Sequence, residues 1–178
     1  MILGMLGNTI INKLPTSGNN MVSYWLMKSE PHVYSFDDLQ NDGSTHWDGV
    51  RNYQARNFMR DAMKIGDIVL YYHSNTKPPH IAGIAKVCKE GYPDFTSYEP
   101  DSKYFDDKST PENPRWFMVD IEPVKKFETI ISLQDVKDNE SLNSMLLVKK
   151  GQRLSIQPVA ETEFKEVLSM AGMDYDSL

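Results

Sequence analysis

The run Trp47-Asp48-Gly49-Val50-Arg51-Asn52-Tyr53-Gln54-Ala55-Arg56-Asn57 carries more chemistry than a connecting loop needs. Trp47 offers a flat apolar face, Arg51 a planar fork of five donors, and Asn52 and Asn57 paired donors and acceptors. Such a set suits the face and edge of a planar polar ligand. Its plain reading is a buried tryptophan, a helix cap and a surface arginine. Other aromatics fall beside strand ends or loops: Trp25, Trp116, Tyr53, Tyr71 and Tyr72, with Lys28, Ser29, His73 and Ser74 close in sequence. Aromatic faces stack on nucleobases for about 1–3 kcal/mol each, while hydroxyls and amides read the base edge. Any one of these rings is equally suited to a core.

Other chemistries lack their residues. His32, His46, His73 and His80 form no HxH or HxxxH pair and have no cysteine within ligand spacing, so no metal site is expected. Tyr72-His73-Ser74 contains a nucleophile and a base but no glycine elbow and no orienting acid. Neither GxGxxG nor GxxxxGKS occurs, so no phosphate-cradling loop and no cofactor is expected.

The chain has 178 residues, enough for one domain with a proper core. A single cysteine, Cys88, excludes an intrachain disulfide and points to a reducing compartment, cytoplasmic or, in a eukaryote, nuclear. No run approaches the roughly 18 apolar residues of a membrane span. The net charge of −6 argues against a protein that grips long duplexes by neutralising phosphates. The charge is uneven, however. Residues 21–89 hold eight Lys/Arg against seven Asp/Glu, while residues 90–142 hold six against thirteen. The first half can therefore face an anion, and one nucleotide is within its reach.

These residues must be positioned by a mixture of strands and short helices. Residues 1–21 differ from the rest and read as a disordered extension, or as the product of an upstream start codon with Met21 the natural beginning, leaving a domain over 22–172 and a tail over 173–178. Val22–Met27 is expected to be an interior strand that ends before Pro31. Ser35 with Asp38 forms a capping-box variant for a helix closing near Gly43. Asn52 suits an N-cap, and Ala55, Phe58, Met59, Ala62 and Met63 follow the i, i+3, i+4 pattern of one buried helical face, with Gly66 at its stop. Further strands are expected over Asp67–His73, Ile81–Lys89, Arg115–Val124, Lys126–Ile131 and Arg153–Gln157. Ser132 caps a helix, a helical turn runs near Leu142–Leu147, and Glu161–Ala171 is amphipathic and closed by Gly172. Gly83 inside a strand marks a bulge or a close approach. Residues 90–114, with four prolines, are too long for a plain connector and should be ordered by their aromatics and functional, or mobile. The class is α+β: a small mixed pseudo-barrel of five or six strands with short helices at its rim.

Five motifs in order then carry a resemblance: Tyr24-Trp25-Leu26-Met27-Lys28-Ser29-Glu30-Pro31 with the Trp47–Asn57 run, Tyr72-His73-Ser74, Ile81-Ala82-Gly83-Ile84-Ala85, Tyr92-Pro93-Asp94, and Pro114-Arg115-Trp116-Phe117-Met118-Val119-Asp120. Over roughly residues 23–170 the chain resembles the EVE domain family. The resemblance implies a PUA-like fold and a pocket for one modified nucleobase flipped from its strand, methylated or hydroxymethylated cytosine in DNA being among the proposed ligands. By position it implies pocket residues at Trp25, Lys28, Ser29, Trp47, Val50, Arg51, Asn52, Tyr72, His73, Ser74, Gly83 and Trp116. The residues themselves accord with this: Trp47 or Trp25 as a wall, Asn52 and Ser29 at the edge, Arg51 and Lys28 for phosphates, and Arg56 and Lys77 further out.

The leading expectation is a non-catalytic reader of modified bases in nucleic acid, DNA before RNA. An enzyme acting on the same flipped base, with His73 or Glu30 as acid or base, is the first alternative. A protein-interaction module built on the acidic 90–114 segment is the second.

Overall fold

The computed structural model describes residues 21–178. The expected extension therefore lies outside the described residues, except for Met21, which is exposed.

Strand β1 (Tyr24–Ser29) sets the architecture. All of Tyr24, Trp25, Leu26 and Met27 are buried, and alternation sends them to two different layers. Trp25 and Met27 enter one core and Tyr24 and Leu26 the other, as both faces of an interior strand must. β1 runs parallel to β3 (Ile68–His73), pairing Tyr24 with Ile68 through Ser29 with His73, and antiparallel to β6 (Ile156–Val159). β3 pairs with the long β4 (His80–Pro93), β4 with β5 (Phe117–Ser132), and β5 with the two-residue β2 (Thr45–His46). The result is one six-stranded mixed sheet in the order β2-β5-β4-β3-β1-β6, open at its two edges. Four register shifts along β4 and β5 bend it.

Helices cover both faces. α1 (Phe36–Asp42) and α2 (Tyr53–Asn57) close the layer holding Trp25, Trp47 and Tyr71. α3 (Leu133–Asp138) and α4 (Glu161–Met170) close the layer holding Leu26, Tyr72 and Phe164. The caps are where the sequence puts them. Ser35 and Asp38 make a reciprocal capping box, Ser132 and Asp135 another, and Asn52 Oδ1 accepts from Ala55 N at 3.0 Å.

Three elements differ from expectation. The helix expected through Met63 is only α2, continued by a wider π turn over Phe58–Ala62, in which Met63 N donates to Phe58 O. The wide turn still buries Met59 and Met63. The two strands expected on either side of Pro123 are the single β5. Pro123 costs nothing there, because it sits at a bulge and β2 covers only Asp120 and Ile121 of that edge. β2 itself is too short for any alternation to reveal. The tail beyond residue 172 is tied back, with the Tyr175 hydroxyl 2.6 Å from that of Tyr24.

Candidate nucleic-acid interface

The loop from Trp47 to Asn52 is held by a carboxylate far away in sequence. Asp94 is fully buried just after β4. Its Oδ2 accepts from Gly49 N at 3.0 Å and from Arg51 Nη1 at 2.8 Å, and its Oδ1 accepts from the amide and hydroxyl of Thr96. Every lone pair direction is used, which a buried charge requires. Arg51 spends its other donors on the carbonyls of Tyr104 and Val50. Arg51 is thus no loose surface residue: it ties the loop to the segment over 94–116.

That segment is ordered by hydroxyls and carboxylates more than by its aromatics. Ser97 and Ser109 share a hydrogen bond at 2.9 Å, and Arg115 N donates to Ser109 Oγ. Asp106 accepts from Trp116 Nε1 at 2.7 Å and from Arg115 Nη1 at 3.3 Å. The Trp116 indole N–H in particular holds the Asp106 carboxyl below the usual carboxylate range.

The outcome is a row in which cations and rings touch in succession. Lys103 Nζ lies 4.7 Å from the centre of the Tyr104 ring, and the Arg51 guanidinium 5.5 Å from the same ring and 5.2 Å from that of Trp116. Trp116 stacks on Tyr53 at 5.0 Å, and Arg56 lies 4.8 Å from the other end of the row at Tyr53. Arg115 donates to the Tyr53 hydroxyl, and Arg60 lies over Phe117 nearby. Tyr53 is half exposed and Phe105 nearly so. Beside this row is a depression of about 410 Å³ lined by Arg51, Lys103, Tyr104, Phe105, Asp106 and Asp107. The Tyr104 ring rests directly on Gly49, whose φ of 72° and lack of a side chain allow it; a Cβ there would overlap the ring. Lys103 is within electrostatic reach of Asp48 and Glu30, so the loop tip spans from the Trp47 loop to the end of β1.

A second polar cluster closes the ends of β3 and β4. Phe36 N donates to His73 Nε2 at 3.1 Å, His73 Nδ1 lies 3.1 Å from His80 Nε2, and His80 Nδ1 lies 2.8 Å from Pro78 O. Since Phe36 can only donate, both neutral rings must carry their proton on Nδ1. Burial, with the neighbouring His80, lowers the His73 pKa to about 4. Ser29 Oγ and the Tyr71 hydroxyl both donate to Tyr34 O, and Ser74 Oγ donates to Ser29 O.

The expected site residues therefore separate. Trp47, Val50, Arg51, Asn52, Arg56 and Trp116 come together in or against the row. Ser29, His73 and Ser74 lie in the second cluster, joined to Trp47 through Tyr71, whose ring meets the indole edge-on at 5.5 Å. Tyr72 and Lys28 lie on the opposite face of the sheet, Tyr72 in the other core and Lys28 Nζ 5.9 Å over its ring; the two-residue period of a strand puts neighbours of Tyr71 and Ser29 there. Trp25 is 5% exposed and its indole N–H is committed to the buried Asp67 at 2.9 Å. Gly83 is filled by close approach: a Cβ would lie 2.6 Å from Lys125 O and 2.9 Å from Phe36. Lys77 is exposed in the β3–β4 turn. The three indoles are 5–8% exposed, and what faces solvent is Tyr53, Tyr104, Phe105 and the cations.

Sequence reasoning does not single out Lys103, Tyr104 or Asp106, and it names Asp94 and Arg115 only inside family motifs, without a role. Asp94 is one of seven acidic residues between Glu90 and Pro114, and nothing in composition distinguishes the buried one. The Asp94-Phe95-Thr96 spacing, suited to a carboxylate bonding its own backbone two residues on, is the signal that was available. Among the described residues no group of three His, Cys, Asp or Glu is placed to hold a metal, and no helix is long and apolar enough to cross a membrane.

The chain is similar to known proteins along most of its length. The EVE domain model matches residues 23–170. Thymocyte nuclear protein 1 of Homo sapiens is 44% identical over 170 residues, covering 85% of this chain and 75% of that protein. A crystal structure of human THYN1 in complex with 5-methylcytosine-containing DNA superposes with a TM-score of 0.79 at 43% identity, covering 85% of this chain and 99% of that one. A protein from Leishmania major gives 0.81 at 47% identity, over 85% of this chain and 96% of its own, and one from Pseudomonas syringae 0.80 at 47%, over 83% and 99%. With a family model spanning its whole sheet and relatives this similar along most of their length, the chain belongs to the EVE domain family.

Proposed function

We propose that this chain binds modified cytosine in DNA, receiving the base out of its strand and doing no chemistry on it. The observation that carries this reading is the row of Lys103, Tyr104, Arg51, Trp116, Tyr53 and Arg56, in which three cations lie against three rings. A charged track with aromatic platforms is what a nucleic-acid strand requires. The human THYN1 complex with 5-methylcytosine DNA supports the choice of ligand.

In this reading Lys103, Arg56 and Arg115 meet phosphates, and Arg51, already committed to Asp94 and Tyr104 O, positions the loop rather than the ligand. The base enters beside Gly49. Tyr104 is the part that moves aside, and Trp47 and the exposed Asn52 lie next to the entry. Binding rather than acid–base catalysis is supported by His73: its Nε2 is filled by Phe36 N–H, its Nδ1 by His80, and its low pKa keeps it neutral. The same reading places the protein in the nucleus of a eukaryotic cell or the cytoplasm of a bacterial one.

The test is a titration of short DNA strands that carry one cytosine, methylated, hydroxymethylated or plain, at low salt. An apolar niche for one methyl-sized group favours the modified strand by about 10- to 200-fold. Equal binding of all three, or none, ends the reading.

A further inference from the structure

The row leaves one feature unused. Phe105 is 46% exposed, and among the described residues its ring has no aromatic or cationic partner. It lines the depression of about 410 Å³ together with Lys103, Arg51 and the exposed Asp107, whose carboxylate has no partner among the described residues. Its other acid, Asp106, is already consumed by Trp116, Arg115 and Lys108 N. The depression therefore offers a free apolar ring face, a free acceptor and an exposed ammonium group in one concavity. Its lining includes Tyr104 but neither Gly49 nor Trp47, and so it differs from the entry described above.

We infer that this depression is a second nucleobase subsite, which holds the base next to the modified one and prefers a base bearing an exocyclic amino group. The inference rests on the proposed function, since it needs a strand already bound along the row. Its size is that of a small-ligand pocket. The ring of Phe105 supplies the stacking face. The Asp107 carboxyl oxygens take a hydrogen bond from the amino group of cytosine, adenine or guanine and have none to take from the exocyclic groups of thymine. Lys103 meets the phosphate between the two bases.

The experiment uses the full chain and 12-nucleotide DNA strands with one central 5-methylcytosine, read by fluorescence anisotropy. Each flanking nucleotide is in turn made abasic, then changed to thymine. For one of the two flanks, the abasic strand binds wild type about tenfold more weakly. F105A weakens the intact strand by the same factor and shows no further loss on the abasic one, while F105Y retains most of the affinity. D107N removes the preference for cytosine or adenine over thymine at that flank. The subsite is overturned if neither flank matters, or if the losses from F105A and from the abasic flank simply multiply. Plain cytosine strands run alongside separate the two ideas: equal binding of plain and modified strands strikes the proposed function, while a retained preference with indifferent flanks strikes only the subsite. A strand that does not bind at all overturns both.

Discussion

The two polar clusters of this protein use similar residues to opposite ends. At the ends of β3 and β4, Phe36 N–H, His73, His80 and Pro78 O form a chain of hydrogen bonds that begins and ends on backbone. Every donor meets an acceptor within the protein, so nothing is left for a ligand. Around Asp94 the same saturation is present inside, where Gly49, Arg51 and Thr96 are all satisfied. Its outer members, Tyr53, Arg56, Lys103 and Phe105, keep faces and charges toward solvent. On the proposed function the difference separates scaffolding from recognition: a polar residue is poised for a partner only when the cluster that fixes it does not also exhaust it.

The sharpest way to break this comparison is to remove its anchor. Asp94→Ala leaves the half-buried Arg51 and the Gly49 and Thr96 amides without their acceptor. Breaking a buried ion pair from one side costs about 3–5 kcal/mol. Urea denaturation should report a loss of that size. A loss below 1 kcal/mol would mean that the loop is held by something else.

Next in size is the outer half of the same cluster. Replacing Arg56 and Lys103 together by alanine removes two cations that lie on rings, with Arg56 also giving up its bonds to Arg115 O and Asn57 Oδ1, so stability should fall by about 1 kcal/mol. DNA affinity should fall about tenfold, and the slope of log K against log salt should flatten by about 1.4 for a single strand, at about 0.7 per lost phosphate contact. Unchanged slope with a larger loss of stability would reverse the two assignments, making these residues scaffold.

How far the sequence reveals this division depends on the kind of signal. Caps are local, and Ser35, Asn52 and Ser132 could be placed because a side chain and its target amide lie three residues apart. β1 and β3 could be placed because uninterrupted apolar runs admit few alternatives. The π turn at Phe58–Ala62 could not, since its apolar spacing also fits an α-helix. The face of Tyr72 was legible in principle: once Tyr71 is inward toward Trp47, its neighbour must point away. What sequence could not supply is the reach from Asp94 back to Gly49, 45 residues earlier, because the bond depends on how β4 delivers that carboxylate. The aromatic signal does not separate inside from outside: Tyr53, Tyr104 and Phe105 face solvent, while the three indoles are interior.

The histidine cluster offers a pH test. Burial keeps His73 neutral down to a pKa of about 4, against 6.5 for a free ring. Between those values the unfolded chain binds the extra proton and the folded chain does not, so stability is full above pH 6.5 and declines as pH falls toward 4. The wild type should lose roughly 1–2 kcal/mol over this window after allowance for solvent screening. His73→Gln, which can still accept from Phe36 N–H, should flatten this decline in thermal melts taken from pH 7 to 4. A variant that declines as steeply as wild type would shift the effect to another group.

The smallest expected effect is also the cleanest discriminator between the faces of the sheet. Tyr72 belongs by sequence to the same Tyr-His-Ser motif as His73, yet its ring packs in the core with Leu26, Ile81 and Phe164 on the α4 side. Its hydroxyl is raised to about 12 by burial, so it is neutral under any binding condition. Tyr72→Phe keeps the ring and its packing and deletes only that hydroxyl. Affinity for a 5-methylcytosine strand should stay within about twofold of wild type, inside the 0.5 kcal/mol expected of a change away from the contact. A tenfold loss would mean that the ligand reaches through the sheet layer to the second core, and the assignment of recognition to the Asp94 side would fall with it.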